Sequence, residues 1–231
     1  IINQTIFSTA PNDNNKMMTG ELFEVSENTL KVVGLDGHRI AIRNIALEGR
    51  ADDVKVVVPG KTLQEISKIL STDAENMVNI YFTNNHILFE FDNTIVVSRL
   101  IEGEYFKISQ MLSSDYETKV VINKKEFIDS IDRANLLITE SEKKPIIINI
   151  TDGSLEVNVN SSKGKSNEII DIKKEGKDLM IGFNPKFLMD ALKVIDDETV
   201  DIYLVNPKAP CFIRDANQSY IYLILPVNFT A

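Results

Sequence analysis

Few residues in this chain are spaced for covalent chemistry. Only two histidines occur. The one in Asp36-Gly-His-Arg39 has no Cys or second His nearby with which to hold a metal. The spacings G-x-S-x-G, P-loop and G-x-G-x-x-G are all absent. Asp196-Asp197-Glu198 reads as a solvated loop after a helix, and the single cysteine, Cys211, sits in an apolar strand as a small buried residue. The other carboxylates are scattered, with no pair spaced as acid and base. The sequence offers no active site and calls for no cofactor or metal.

The cations are more informative. On a helix predicted over Thr62–Leu70, Leu63, Ile66 and Leu70 form one apolar stripe, while Lys61 and Lys68, seven apart, share another face. A helix over Phe187–Ile195 repeats the arrangement. Leu188, Ala191, Leu192 and Ile195 point inward there, and Lys186 and Lys193 outward. A third helix, Glu126–Ile138, mixes Lys124, Lys125 and Arg133 at its start and middle with Glu126, Asp129 and Asp132. Residues 61–70, 124–137 and 185–195 hold seven Lys/Arg against five Asp/Glu, a net of +2. The whole chain is at −9, so the remainder carries −11. That is a modest contrast, and Lys pairs of this kind are most often solvated helix faces. The net charge argues against a surface that grips phosphate everywhere, but not against one basic inner face.

The elements that must position these lysines recur. Three stretches follow one pattern: a short apolar strand, a turn ending in Lys, an amphipathic helix, then two alternating strands. They begin at Lys55, Lys119 and Leu179, and Lys61, Lys125 and Lys186 fall about sixty residues apart. Hairpin turns are expected at Asn84-Asn85, Asp152-Gly153 and Pro207–Ala209. Further strands follow at Ile95–Leu100, Glu168–Ile172 and Tyr220–Leu225. A fourth copy opens the chain: a helix end at Ile1–Ser8, strands at Glu21–Val25 and Thr29–Val33 around a Ser26–Asn28 turn, and a third at His38–Asn44. Its leading strand is absent, so the chain is expected to begin inside a unit whose upstream part is missing. Repeated β-α-β-β-β units indicate an α+β class of antiparallel sheets with helices on one face. The 231 residues suffice for two domains of ordinary size, with a boundary near the polar stretch Met111–Thr118. No apolar run reaches the roughly 18 residues of a membrane crossing, and no leader pattern opens the chain, so a soluble cytoplasmic protein is expected.

Three strings carry a resemblance: Val33-Gly-Leu-Asp-Gly-His-Arg-Ile-Ala41, the helix in Phe183-Asn-Pro-Lys-Phe-Leu-Met-Asp-Ala-Leu192, and Tyr222-Leu-Ile-Leu-Pro-Val227. Together they resemble the bacterial replicative sliding clamps, the beta subunits of DNA polymerase III. The resemblance covers essentially the whole chain. It implies a clamp middle domain over residues 1–115, lacking its first strand, and a clamp C-terminal domain over 116–231, the N-terminal domain being missing.

It further implies a non-enzymatic processivity factor of the DNA-clamp fold. Full-length copies would form a homodimeric ring that encircles duplex DNA without reading sequence. Lys61, Lys68, Lys186 and Lys193 would face the DNA, and Leu136 and Leu137 would lie at the subunit interface. DNA polymerase and clamp-loader subunits would dock by short Gln/Leu/Phe-type peptides in an apolar groove between the middle and C-terminal domains. That groove would comprise Met18, Leu35, Gly37, His38, Arg39, Ile40, Phe106, Met111, Phe187, Leu223, Leu225, Pro226 and Val227. Leu35, Phe106 and Gln110 depart from the residues common in that family, which bears on peptide preference. The competing reading is a repeat-built protein-interaction module that does not act on DNA, with an unfamiliar hydrolase a distant third.

Overall fold

Helix α1 (Ile2–Thr5) opens the first unit and tightens into a 3-10 turn at Ile6–Ser8. The computed structural model describes residues 1–48, 51–70, 77–113, 115–139, 142 and 144–229. Its first unit runs Ile1–Leu112 and its second Ser113–Ala231.

In the first unit, β1 (Gly20–Ser26), β2 (Thr29–Leu35), β3 (Arg39–Ala46) and β4 (Val54–Pro59) pair antiparallel in the order β3-β2-β1-β4. The β1–β2 turn is a two-residue loop in which Glu27 and Asn28 both take positive φ, 48° and 63°. That geometry matches the twist of the flanking strands. Helix α2 (Gly60–Ile69) follows β4, and β5 (Asn79–Phe82), β6 (His86–Phe91) and β7 (Thr94–Arg99) form a separate antiparallel sheet. Leu63 and Ile66 of α2 drop into a core with Phe23, Val32, Ile87 and Phe89. Truncating either to Ala costs about 2–5 kcal/mol in such a setting.

The second unit contains β8 (Thr118–Asn123), α3 (Lys124–Asn135), β9 (Ile146–Thr151), β10 (Ser154–Ser161) and β11 (Gly164–Gly176). It continues with β12 (Leu179–Phe183), α4 (Pro185–Leu192), β13 (Thr199–Leu204), β14 (Cys211–Arg214) and β15 (Tyr220–Ile224). Asn123 and Asn184 cap α3 and α4 by accepting from the Glu126 and Lys186 amides, each at 3.0 Å. Pro185 fills the first turn of α4, where its missing N–H costs nothing.

The strand order is β12-β9-β10-β11-β8-β13-β14-β15. Each strand that precedes a helix therefore pairs with the other repeat: β12 with β9, and β8 with β13. The first unit does the same, since β4 pairs with β1. Strand β11 is much longer than the expected Glu168–Ile172, because its first part pairs with β10 and its last five residues with β8. Helix α3 ends at Asn135 rather than Ile138, with Leu136 as its C-cap.

Candidate functional site

On α2 the apolar stripe and the lysines separate as expected. Leu63 and Ile66 are buried, whereas Lys61 and Lys68 are exposed. Lys68 is tied to Glu65 at 2.7 Å, one turn back on the same face. On α4, Leu188, Ala191 and Leu192 are buried and Lys186 is exposed. Lys193 is exposed too, but it is the C-cap of α4 rather than part of the helix, and Ile195 is buried beyond it. Among the described residues, Lys61, Lys186 and Lys193 make no ion pair. The α3 cations differ. The Lys124 ammonium donates to the Ile195 carbonyl, and Arg133 pairs with Glu168 of β11 at 2.7 Å. Lys125 alone on that helix is exposed without a partner of this kind.

The Asp36–Arg39 string forms the β2–β3 turn, closed by the Leu35↔Ile40 pair. Asp36 organises it. One carboxylate oxygen accepts from the His38 and Arg39 amides at 2.8 and 3.1 Å, and the other takes the Arg39 Nε at 3.0 Å. Arg39 is only 7% exposed, and its guanidinium also donates to the Phe7 carbonyl and lies 5.4 Å from the centre of the Phe7 ring. The arginine thus fastens the turn to the segment after α1, while Gly37 and His38 project into solvent. Leu35 and Ile40 are buried, Met18 and Phe106 half-buried, and Met111 exposed. Phe106 packs edge-on against Tyr105, with ring centres 5.6 Å apart.

In the second unit, Leu223 is buried in β15 opposite Phe212. Leu225 and Val227 are each 39% exposed, and Pro226 between them is half-buried. Phe187 is half-buried, and its carbonyl accepts the Tyr222 hydroxyl at 2.9 Å. Neither Phe7 nor the Tyr222 hydroxyl was assigned a role from sequence. Phe7 reads as an ordinary apolar residue after Ile6, and Tyr222 as a strand interior, so their anchoring roles carried no local signal. Leu136 is 75% exposed and Leu137 half-buried. Cys211 is buried, and burial pushes its thiol well above the ordinary range. Among the described residues no cluster of His, Cys, Asp and Glu is arranged for a metal ion. Among the described residues no helix is long and apolar enough to cross a membrane.

Exposed lysines on two helices that bury their opposite faces, and an exposed Leu-Pro-Val run after a last strand, belong to an antiparallel α+β repeat protein. Comparison with known proteins places that architecture. Residues 1–107 match the DNA polymerase III beta subunit central domain, and residues 109–228 its C-terminal domain. The chain belongs to the DNA polymerase III beta subunit family and has the sliding-clamp fold. It is 34% identical over 233 residues to the beta sliding clamp of Streptococcus pneumoniae, covering 99% of this chain and 61% of that one. It is 35% identical over 231 residues to the clamp of Staphylococcus aureus, with the same coverage. Among solved structures, a putative DNA polymerase III beta subunit from Eubacterium rectale matches with a TM-score of 0.97 and 68% identity, over 100% of this chain and 62% of that one. The Bacillus subtilis sliding clamp matches with a TM-score of 0.95 and 34% identity, over 99% and 61%. The chain thus spans about three-fifths of the length of these relatives.

Proposed function

We propose that the protein acts as a sliding clamp, an accessory subunit that encircles duplex DNA and tethers a replicative polymerase to it. The observation that carries this reading, beside family membership, is the exposed lysine pair at each of two repeat-equivalent helices, Lys61 and Lys68 on α2, and Lys186 on α4 with Lys193 at its C-cap. Those lysines turn away from the buried Leu/Ile stripes, and Lys61, Lys186 and Lys193, which make no ion pair among the described residues, are available to phosphates. A ring held by topology needs no tight contact, which fits a modest local excess of Lys on an acidic molecule. An interaction module unrelated to DNA has no need to repeat the pair, and family membership disfavours it.

In this reading two full-length copies close the ring, with Leu136 and Leu137 at the subunit boundary. Polymerase and clamp-loader subunits dock by a short Gln/Leu/Phe-type peptide on the surface assigned by the resemblance. The exposed Met111, Leu225 and Val227 supply the apolar contact that such anchors seek. The test is topological. The protein assembled into its ring and loaded on circular duplex should persist there, and should be lost rapidly when the circle is cut. Equal loss from circular and linear DNA overturns the clamp reading.

A further inference from the structure

Glu21 is the least expected group in the first unit. It stands on β1 with 0% of its surface exposed, and among the described residues neither carboxylate oxygen has a hydrogen-bond partner. Thr5 and Ser8, from α1 and the turn after it, are also fully buried, and the Ser8 hydroxyl is unpartnered. The Thr5 hydroxyl is committed to the Ile1 carbonyl at 3.0 Å, and the buried Tyr105 hydroxyl to the Val33 carbonyl at 3.1 Å. Gly34 of β2 completes the enclosure. A Cβ there would lie 2.5 Å from the Thr5 carbonyl oxygen and 3.2 Å from Glu21 Oε1, so only glycine allows α1 and the carboxyl to meet over the strand.

An ionised carboxylate in this enclosure would lose its hydration with too little to replace it. Burial pushes the group up to about 8, with the Thr5 side chain acting in the opposite direction. From α1 Glu21 meets the Thr5 side chain. From the segment after β7 it faces the Tyr105 phenol, held protonated by its own burial and then by Glu21. From β2 it meets Gly34, which does not titrate.

We propose that Glu21 is a proton-dependent latch: as a neutral acid it seats the Ile1–Ser8 segment on the β1–β2 face, and loss of its proton releases that segment. The release has a defined route outward. Phe7 rides on the segment and holds Arg39, and Arg39 with Asp36 holds the turn that presents Gly37 and His38. The loosening of the turn stands on these contacts alone, and only a consequence for peptide docking would rest on the groove reading.

The native carboxyl keeps its proton up to about pH 8, whereas an opened segment releases it near the ordinary 4.5. Opening therefore becomes easier by up to about tenfold per pH unit between those values and levels off above them. Hydrogen exchange of the whole chain without peptide, from pH 6 to 9 and corrected for intrinsic rates, reads this directly. Protection of residues 1–9 and 36–40 should fall about tenfold per unit up to about pH 8 in the wild type, and stay flat in E21Q and E21M. Variants that keep the wild-type slope overturn the latch. Should both variants fail to fold, the Glu21 carboxyl carbon-13 resonance in the wild type decides: a midpoint near 8 supports the latch, and one near 4.5 overturns it.

Discussion

The Val227 amide donates to the Gly182 carbonyl at 2.8 Å, fastening the segment after β15 to the outer edge of β12. The first unit has the same clasp at the repeat-equivalent position, where the Ile101 amide donates to the Val57 carbonyl of β4 at 2.9 Å. In each unit the chain leaving the last strand covers an edge carbonyl of the strand before the second helix, an exposed edge being a ready site for unwanted pairing. The second clasp is closer. A Cβ on Gly182 would sit 2.7 Å from both the Phe229 ring and the Val227 carbonyl oxygen.

Gly182→Ala should therefore displace residues 226–229. Overpacking of this kind costs about 1–3 kcal/mol. Denaturant unfolding should show that loss, while Gly37→Ala, where a Cβ meets nothing within 4 Å, should leave the midpoint unchanged. Because Val227 lies in the displaced segment and Leu225 adjoins it, G182A should also weaken any peptide that docks on them.

Breaking the Arg39–Asp36 pair should be costly because both partners are largely out of water. Arg39→Ala leaves Asp36 with a buried unpaired charge and frees the Phe7 carbonyl, so a loss of about 3 kcal/mol is expected in thermal or denaturant unfolding. Arg39→Lys should recover only part of it, since an ammonium cannot reach Asp36 and Phe7 together as the planar guanidinium does.

Peptide docking should depend on the exposed apolar residues. Leu225→Asp or Met111→Asp puts a charge where an apolar anchor seats, and titration calorimetry with a Gln-x-x-Leu-Phe-like peptide should then detect no binding. Unchanged affinity in a folded variant means that the peptide sits elsewhere.

Lys61, Lys68, Lys186 and Lys193, replaced together by Glu, should impair loading on DNA. For the wild type, retention on circles of different sequence should be equal and should weaken as salt rises, the behaviour of phosphate contacts. A strong sequence preference would contradict contacts of this kind.

Cys211 should be inert in the native state. Its thiol is buried and held protonated, and the thiolate is the reactive form. A colorimetric thiol reagent should therefore react only at the rate of unfolding.

The sequence by itself determined the elements and the separation of helix faces. Period-2 and period-3.6 patterns and the Asp-Gly and Asn-Asn turns are local signals, because they follow from backbone geometry within a few residues. Leu63 and Ile66 went inward and Lys61 and Lys68 outward for that reason. Partnership between distant segments was decided only by the tertiary structure. Nothing in Lys119-Val-Val-Ile says that β8 will pair with β13, because apolar strand faces are interchangeable until the cores of two repeats meet. Nothing in Glu21-Leu-Phe-Glu marks one glutamate as fully buried and the other as a half-buried partner of Lys31 and Lys55. Both are charged residues on one strand, and only the crossing of α1 over Gly34 takes Glu21 out of water. Likewise Asp36-Gly-His-Arg39 showed a turn, but the role of Arg39 was set by Phe7, thirty-two residues upstream.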